Sequence, residues 1–392
     1  MIDKIRFTIT LALLVAVNLP IKGQVNERDT ALVNRSKEQD LQITLLTCTS
    51  GGEIYSAYGH SAVRVRDVGR DIDMVFNYGT FDFSTPYFVP KFLCGTLDYM
   101  LSATSYWRFV GSYRWEKRGV VERELILSRS QREAVEEFLI RNIQPENRFY
   151  RYDFFFDNCA TRIRDVVFRC AGVKGGECMV KGEETFRDCL HEYVGPDKWY
   201  GAGIDLILGV RADRHVSAYD KAMLPDYLEK LLDEEGLLGD PQVLLERGEF
   251  EEDGAWSVTP GMVAWGMFVL TLCIVVYEVK GGKWCKWYDY MMYVVMMVLA
   301  LLFWFLWVVS EIKITSYNYN VLWASVLYVP MIWALAARKW RALRGMAWVN
   351  VGMIVAYMVI VVFGVQHAPS LALAAAGSMA LRNGMAIYRG RA

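Results

Sequence analysis

A change of character near Trp256 limits this chain more than any other feature. Up to that point charged residues are frequent; beyond it apolar runs dominate. The runs at 257–277, 290–310, 321–337 and 346–366 approach or exceed the roughly 20 residues that a helix needs to cross a bilayer. A fifth run, 370–388, is interrupted by Arg382 and Asn383 and is the weaker candidate. A charge within a span is costly, and Arg382 is expected to snorkel to the inner interface. Basic residues cluster in alternate loops: Lys280, Lys283 and Lys286, then Arg338, Lys339, Arg341 and Arg344, then Arg389 and Arg391. The positive-inside rule makes those loops cytoplasmic. The N-terminal half then lies on the outer side of the membrane.

The start of the chain agrees. Lys4 and Arg6 precede an apolar core at 8–19, Pro20 ends it, and Gly23 is a plausible cleavage point. That is the layout of a secretory signal. The alternative is an uncleaved anchor, against which the short apolar core argues. The expected organisation is a signal at 1–23, an exported domain at 24–250 that ends in an acidic linker, and a transmembrane domain at 251–392. Charge is balanced, 43 Lys and Arg against 44 Asp and Glu, so no nucleic-acid partner is suggested. An exported domain can form disulfides. One pairing among Cys170, Cys178 and Cys189 is open, and the sequence does not choose it.

The exported half centres on Tyr152-Asp153-Phe154-Phe155-Phe156-Asp157-Asn158-Cys159-Ala160-Thr161-Arg162. An aromatic run, read as a buried strand over 150–156, ends in Asp157-Asn158, and a helical pattern follows. Asn158 suits an N-cap. Cys159 then opens the helix, on the same inward face as Ile163, Val166 and Cys170. The positive end of the helix dipole favours thiolate there. Cys159 is therefore a candidate nucleophile if a His lies nearby in space. The plainer reading is a small buried hydrophobe.

Upstream, 41–47 reads as a strand, and 60–66 and 72–78 alternate as two more. If Arg66 stands opposite Asp73, then Val65 meets Met74, Val63 meets Phe76 and Ala62 meets Asn77. That register matches charge with charge and apolar with apolar. It makes His60 and Asn77 diagonal neighbours on one face, half of a nucleophile, base and orienter arrangement. Arg64 and Arg66 share the face, so its outer end is expected to be wet. The aromatic stretch 99–115, with Trp107 and Trp115, is core packing for the most part, or else an apolar groove or membrane-facing lip. Ser130-Gln131-Arg132-Glu133 reads as a capping box.

The chain has four histidines: His60, His191, His215 and His367. His191 and His215 sit in polar, irregular stretches and read as surface residues, and His367 as a solvated loop residue. No Cys/His spacing matches a metal motif, and no cofactor motif is present. Cys–His acyl transfer is the enzymatic reading with a physical case: His60 takes the proton and Cys159 attacks a carbonyl to form a thioester. The Cys159 backbone N–H offers one oxyanion donor, and Tyr58 or Tyr55 a second.

Three stretches carry a resemblance: 58–65 around Gly59-His60-Ser61, 76–83 around Asn77-Tyr78-Gly79, and 152–165 around Asp157-Asn158-Cys159. They resemble the exported domain of the Bacteroidota-type lipoprotein N-acyltransferase family. The multi-span tail with Tyr317-Asn318-Tyr319-Asn320-Val321-Leu322-Trp323 is similar too. The order His then Cys resembles permuted papain-like (NlpC/P60) folds. The resemblance implies an α+β fold with a papain-like exported domain and about five transmembrane helices. It implies an inner-membrane protein that moves an acyl chain from a membrane phospholipid to the α-amino group of a diacylglyceryl-cysteine on a lipoprotein. Cys159 would be nucleophile and His60 base, and Trp107 and Trp115 become candidate acyl-chain contacts. Asn77 as orienter comes from the register alone. The alternatives are a membrane-tethered cell-wall peptidase or amidase, and a non-catalytic membrane scaffold.

Overall fold

The computed structural model describes residues 40–174, 177–248 and 258–390. The expected signal at 1–23 and the boundary at 250 lie outside the described residues. Nine strands are present among them: β1 (Leu41–Cys48), β2 (His60–Asp67), β3 (Ile72–Thr80), β4 (Asp98–Ser105), β5 (Val120–Glu124), β6 (Phe149–Arg151), β7 (Lys181–Thr185), β8 (His215–Ser217) and β9 (Gln242–Leu245). Seven of them form an antiparallel sheet in the order β6-β4-β3-β2-β1-β5-β9. β7 and β8 pair separately.

β1 is almost wholly buried because both its faces are covered. Ile43 and Leu45 pack in the layer shared with helices Arg129–Asn142, Cys159–Ala171 and Pro225–Glu234. Leu46 and Cys48 face the opposite layer, under helix Tyr106–Trp115. Each such side chain, fully buried, contributes about 1.5–3 kcal/mol. The β2–β3 register is the one the charge pattern demands: Arg66 opposite Asp73, Val65 opposite Met74, Val63 opposite Phe76. The outer end of that face is wet, since Arg66 is exposed, but the face is already dry at Arg64. Arg64 is only 11% exposed, donates to Asp73 and Glu122, and lies 3.5 Å over the Tyr106 ring.

Two local expectations change. The capping box belongs to Ser128 and Gln131, two residues earlier than the pattern at Ser130 suggested, because Ser128-Arg129-Ser130-Gln131 meets the same rule. The stretch 150–156 is strand only to Arg151; a tight turn then leads to Cys159. All eight cysteines are unpaired, so no disulfide joins Cys170, Cys178 or Cys189.

The C-terminal part is helical. Helices Pro260–Val279, Lys286–Val308 and Trp340–Val362 are long and apolar enough to cross a membrane. The run at 321–337 instead holds a 3-10 turn, Tyr319–Leu322, and a nine-residue helix, Tyr328–Ala336, about 14 Å long. Ser370–Arg389 forms one helix but does not reach the same apolarity. Arg382 does not snorkel. It is fully buried and donates to Glu278 (2.9 and 3.2 Å) and Asp289 (2.7 Å) from the two neighbouring helices. Those acids neutralise it inside the bundle, which removes the need to reach water.

Candidate functional site

The turn before Cys159 is held at several points. Asp153 Oδ1 accepts from the backbone N–H of Phe155 and Phe156 (2.9 and 3.2 Å). Arg162 grips Asp157 through two bonds (2.5 and 2.8 Å) and lies 3.5 Å over the Tyr150 ring. Asn158 is the N-cap: its Oδ1 accepts from Thr161 N (2.9 Å), and its backbone N–H donates to Thr161 Oγ1 (2.8 Å). Its Nδ2 donates to Phe154 O and to Met223 O, both at 2.7 Å. Every polar group of Asn158 is used, so the first turn of the helix has one position.

His60 begins β2, and its Nε2 stands 3.1 Å from Asn77 Oδ1 on β3. The amide oxygen accepts, so Nε2 carries the proton and Nδ1 is left for the Cys159 thiol, to which His60 is hydrogen-bonded. Cys159, His60 and Asn77 therefore form one line.

Electrostatics set this thiol apart. Burial opposes charge on Cys159, but the His60 charge, the His60 hydrogen bond and the backbone N–H groups of Ser61 and Ala160 outweigh it, and the thiol is lowered below its ordinary value. Burial likewise opposes charge on His60. The thiolate beside it and the bonds to Cys159 and Asn77 prevail, and the imidazole is raised. Both shifts favour a thiolate–imidazolium pair. Cys48, equally buried near Arg118 and Tyr113, is pushed up to about 12 and stays a thiol.

A cleft of about 360 Å³ opens beside His60 and Asn77. Thr104, Arg108, Tyr113 and Glu116 line its far side. Tyr58 is half-buried against Phe154 and Tyr193, with ring centroids 4.8 and 6.0 Å away. Tyr55, Trp107 and Trp115 are exposed and are not part of the cleft lining. Sequence reasoning missed Arg118, whose charge reaches both Cys48 and His60, and Arg162. It also missed Tyr152. A methyl group placed on Gly79 would lie 3.5 Å from the Tyr152 ring and 3.9 Å from Cys159 Cβ, so the Tyr152 ring flanks the nucleophile. His191 is not a free surface residue, whereas His215 and His367 are exposed. His191 bonds the buried Asp205 (2.9 Å), and its ring lies 6.0 Å from that of His367. Among the described residues no group of His, Cys, Asp and Glu is placed to hold a metal.

Two family descriptions match the chain. The Lnb N-terminal periplasmic domain matches residues 28–174, and the Lnb transmembrane domain matches residues 251–391. No curated protein and no solved structure matches it. The two domain matches occur in one chain and take in most of its length, with the Cys159, His60 and Asn77 line inside the first. The chain belongs to the Lnb-type lipoprotein N-acyltransferase family of the Bacteroidota and is a membrane protein with a periplasmic domain.

Proposed function

We propose that the protein is a thiol-dependent lipoprotein N-acyltransferase of the inner membrane, with Cys159 as nucleophile, His60 as acid and base, and Asn77 as the group that orients His60. The observation that carries this reading is the hydrogen-bonded line of thiol, imidazole and amide, with Cys159 lowered and His60 raised. The Cys159 thiolate attacks the ester carbonyl of a membrane phospholipid. The backbone N–H of Cys159, in the first turn of its helix and without an intrahelical acceptor, stabilises the oxyanion. Protonated His60 gives its proton to the departing lysophospholipid oxygen, and a thioester remains. The α-amino group of a diacylglyceryl-cysteine then attacks the thioester and passes a proton to His60. The C–S bond breaks, an amide forms, and the thiolate–imidazolium pair is restored.

In this reading residues 24–250 form a papain-like periplasmic domain and 251–392 a transmembrane domain of five helices, two of them short or polar. The membrane-spanning helices fit a lipid donor, since they keep the site near the headgroups. The polar cleft beside His60 suits the acceptor's backbone. No cofactor is called for. The test is mass spectrometry of a lipoprotein's N-terminal peptide, from cells whose N-acylation depends on this protein alone. Wild type should give triacylated peptide and Cys159→Ala diacylated peptide. Diacylated peptide in both, at equal protein levels, would remove the reading and favour a cell-wall hydrolase.

A further inference from the structure

The segment 81–94 lies outside every role assigned above. It runs from the end of β3 into the short helix Phe88–Cys94, which has no buried residue. Phe83, Tyr87, Val89, Phe92 and Leu93 on it are 38% to 79% exposed. So many large apolar side chains within eleven residues make a continuous patch, which a water-facing surface rarely carries.

The position of the patch names what covers it. Ser310 Oγ–H donates to Leu93 O (2.8 Å), and the Glu311 N–H donates to Cys94 O (2.8 Å). Both partners lie just past the outer end of the membrane-spanning helix Lys286–Val308. Val308 and Val309 at that end are themselves exposed. The patch is thus fixed to the level where the bilayer's apolar region meets its headgroups. Lys91, half-buried in the same helix, is placed to keep its charge at the phosphates while its stem lies along apolar surface.

Behind the patch the aromatic rings form an unbroken row. Phe92 to Phe88 is 6.3 Å between centroids, Phe88 to Phe83 5.1 Å, Phe83 to Phe81 4.9 Å, Phe81 to Tyr99 5.2 Å and Tyr99 to Tyr152 4.3 Å. Tyr152 is the ring that flanks Cys159 across Gly79. The row joins the bilayer level to the nucleophile, and none of its rings lines the polar cleft.

We propose that residues 83–93 are a lip immersed in the outer leaflet of the membrane that the chain spans, and that the aromatic row behind it guides the donor phospholipid's acyl chain from the leaflet to Cys159. The second half rests on the acyl-transfer reading; the first does not. The lip enters the leaflet to the depth of an interfacial helix, about 5–10 Å.

The experiment uses the full chain carrying Cys159→Ala, in vesicles of phosphatidylethanolamine and phosphatidylglycerol. A photoreactive benzoylphenylalanine replaces Phe83, Val89 or Phe92 in turn, or Ile140 on the exposed face of helix Arg129–Asn142 as a control. Lipid adducts at 83, 89 and 92 should exceed those at 140 roughly tenfold, the contrast expected between an immersed and a solvated position. Adducts at the level of position 140 would overturn the lip. Because Cys159 is absent from these proteins, the result is independent of whether Cys159 transfers acyl groups. A second measurement uses Phe92→Asp in the otherwise unaltered enzyme. Phospholipid KM should rise while acceptor KM and the rate of Cys159 thiol labelling stay unchanged. An unchanged phospholipid KM would overturn the guiding role.

Discussion

The chemistry of the site comes down to which residue holds a proton. Cys159 and Cys48 are both buried thiols of one small region, yet one is lowered and the other pushed up to about 12. The difference is the partner: Cys159 has an imidazole and two backbone N–H groups, while burial dominates at Cys48. A thiolate–imidazolium pair is active above the lowered thiol value and below the raised imidazole value, so the rate should trace a bell against pH. The acid limb reports protonation of Cys159 and the alkaline limb deprotonation of His60. Asn77 helps to hold His60 protonated, because its Oδ1 accepts the Nε2 proton. Asn77→Ala removes that bond, so the alkaline limb should move to lower pH. The rate at the optimum should fall by up to about 10²-fold, the effect of a misplaced reacting group. The pH dependence of kcat/KM checks this. A lower rate with an unmoved alkaline limb would assign Asn77 to packing alone.

At the scale of elements, the site depends on where helix Cys159–Ala171 begins. Asn158 fixes that point with its cap and ties the turn to two carbonyls, one of them 65 residues away. Asn158→Ala loses the cap and leaves Phe154 O and Met223 O without their donor. A loss of roughly 2–4 kcal/mol of stability is expected, read as a lower unfolding midpoint of the detergent-purified protein. A change under about 1 kcal/mol would mean that water replaces the side chain. This element was legible in the sequence because everything needed is local: Asn before Cys, then apolar residues at helical spacing. The β2–β3 pair was legible for a related reason, since the alternating residues 60–66 and 72–78 admit one register that matches charges. Arg382 was not. Its partners Glu278 and Asp289 are 104 and 93 residues away, and only the packed bundle brings the three together. The aromatic row to Tyr152 was hidden in the same way, because 81–92, Tyr99 and Tyr152 meet through β3, β4 and β6 rather than through any period in the sequence.

The whole molecule works as one body only if the periplasmic domain is seated on the helical bundle. The seat is polar and close. Asn318 Nδ2 and Asn320 Nδ2 both donate to Leu206 O (2.7 and 3.0 Å), and Gly209 N donates to Ile314 O (3.0 Å). Arg187, buried with Asp205 and Asp213, closes one side, and the His367 N–H reaches Asp213 Oδ2 (3.1 Å). This explains why 321–337 is not one long helix: Asn318 and Asn320 are spent on the junction, and the chain turns there before Tyr328. Gly209 marks the tightest approach, since a methyl group on it would lie 2.0 Å from Ser316 O. Gly209→Ala cannot be absorbed by a rotamer change, because the clash is with backbone. Overpacking of this kind costs about 1–3 kcal/mol, and here it pushes the two parts apart. Gly209 makes none of the contacts that join Cys159, His60 and Asn77, so that line should stay assembled. Thiol labelling of Cys159 in Gly209→Ala should therefore match wild type, while transfer from phospholipid in vesicles falls. If transfer and labelling both persist, the bundle only anchors the domain. If transfer falls alone, the seat is what holds Cys159 at the height of its lipid substrate.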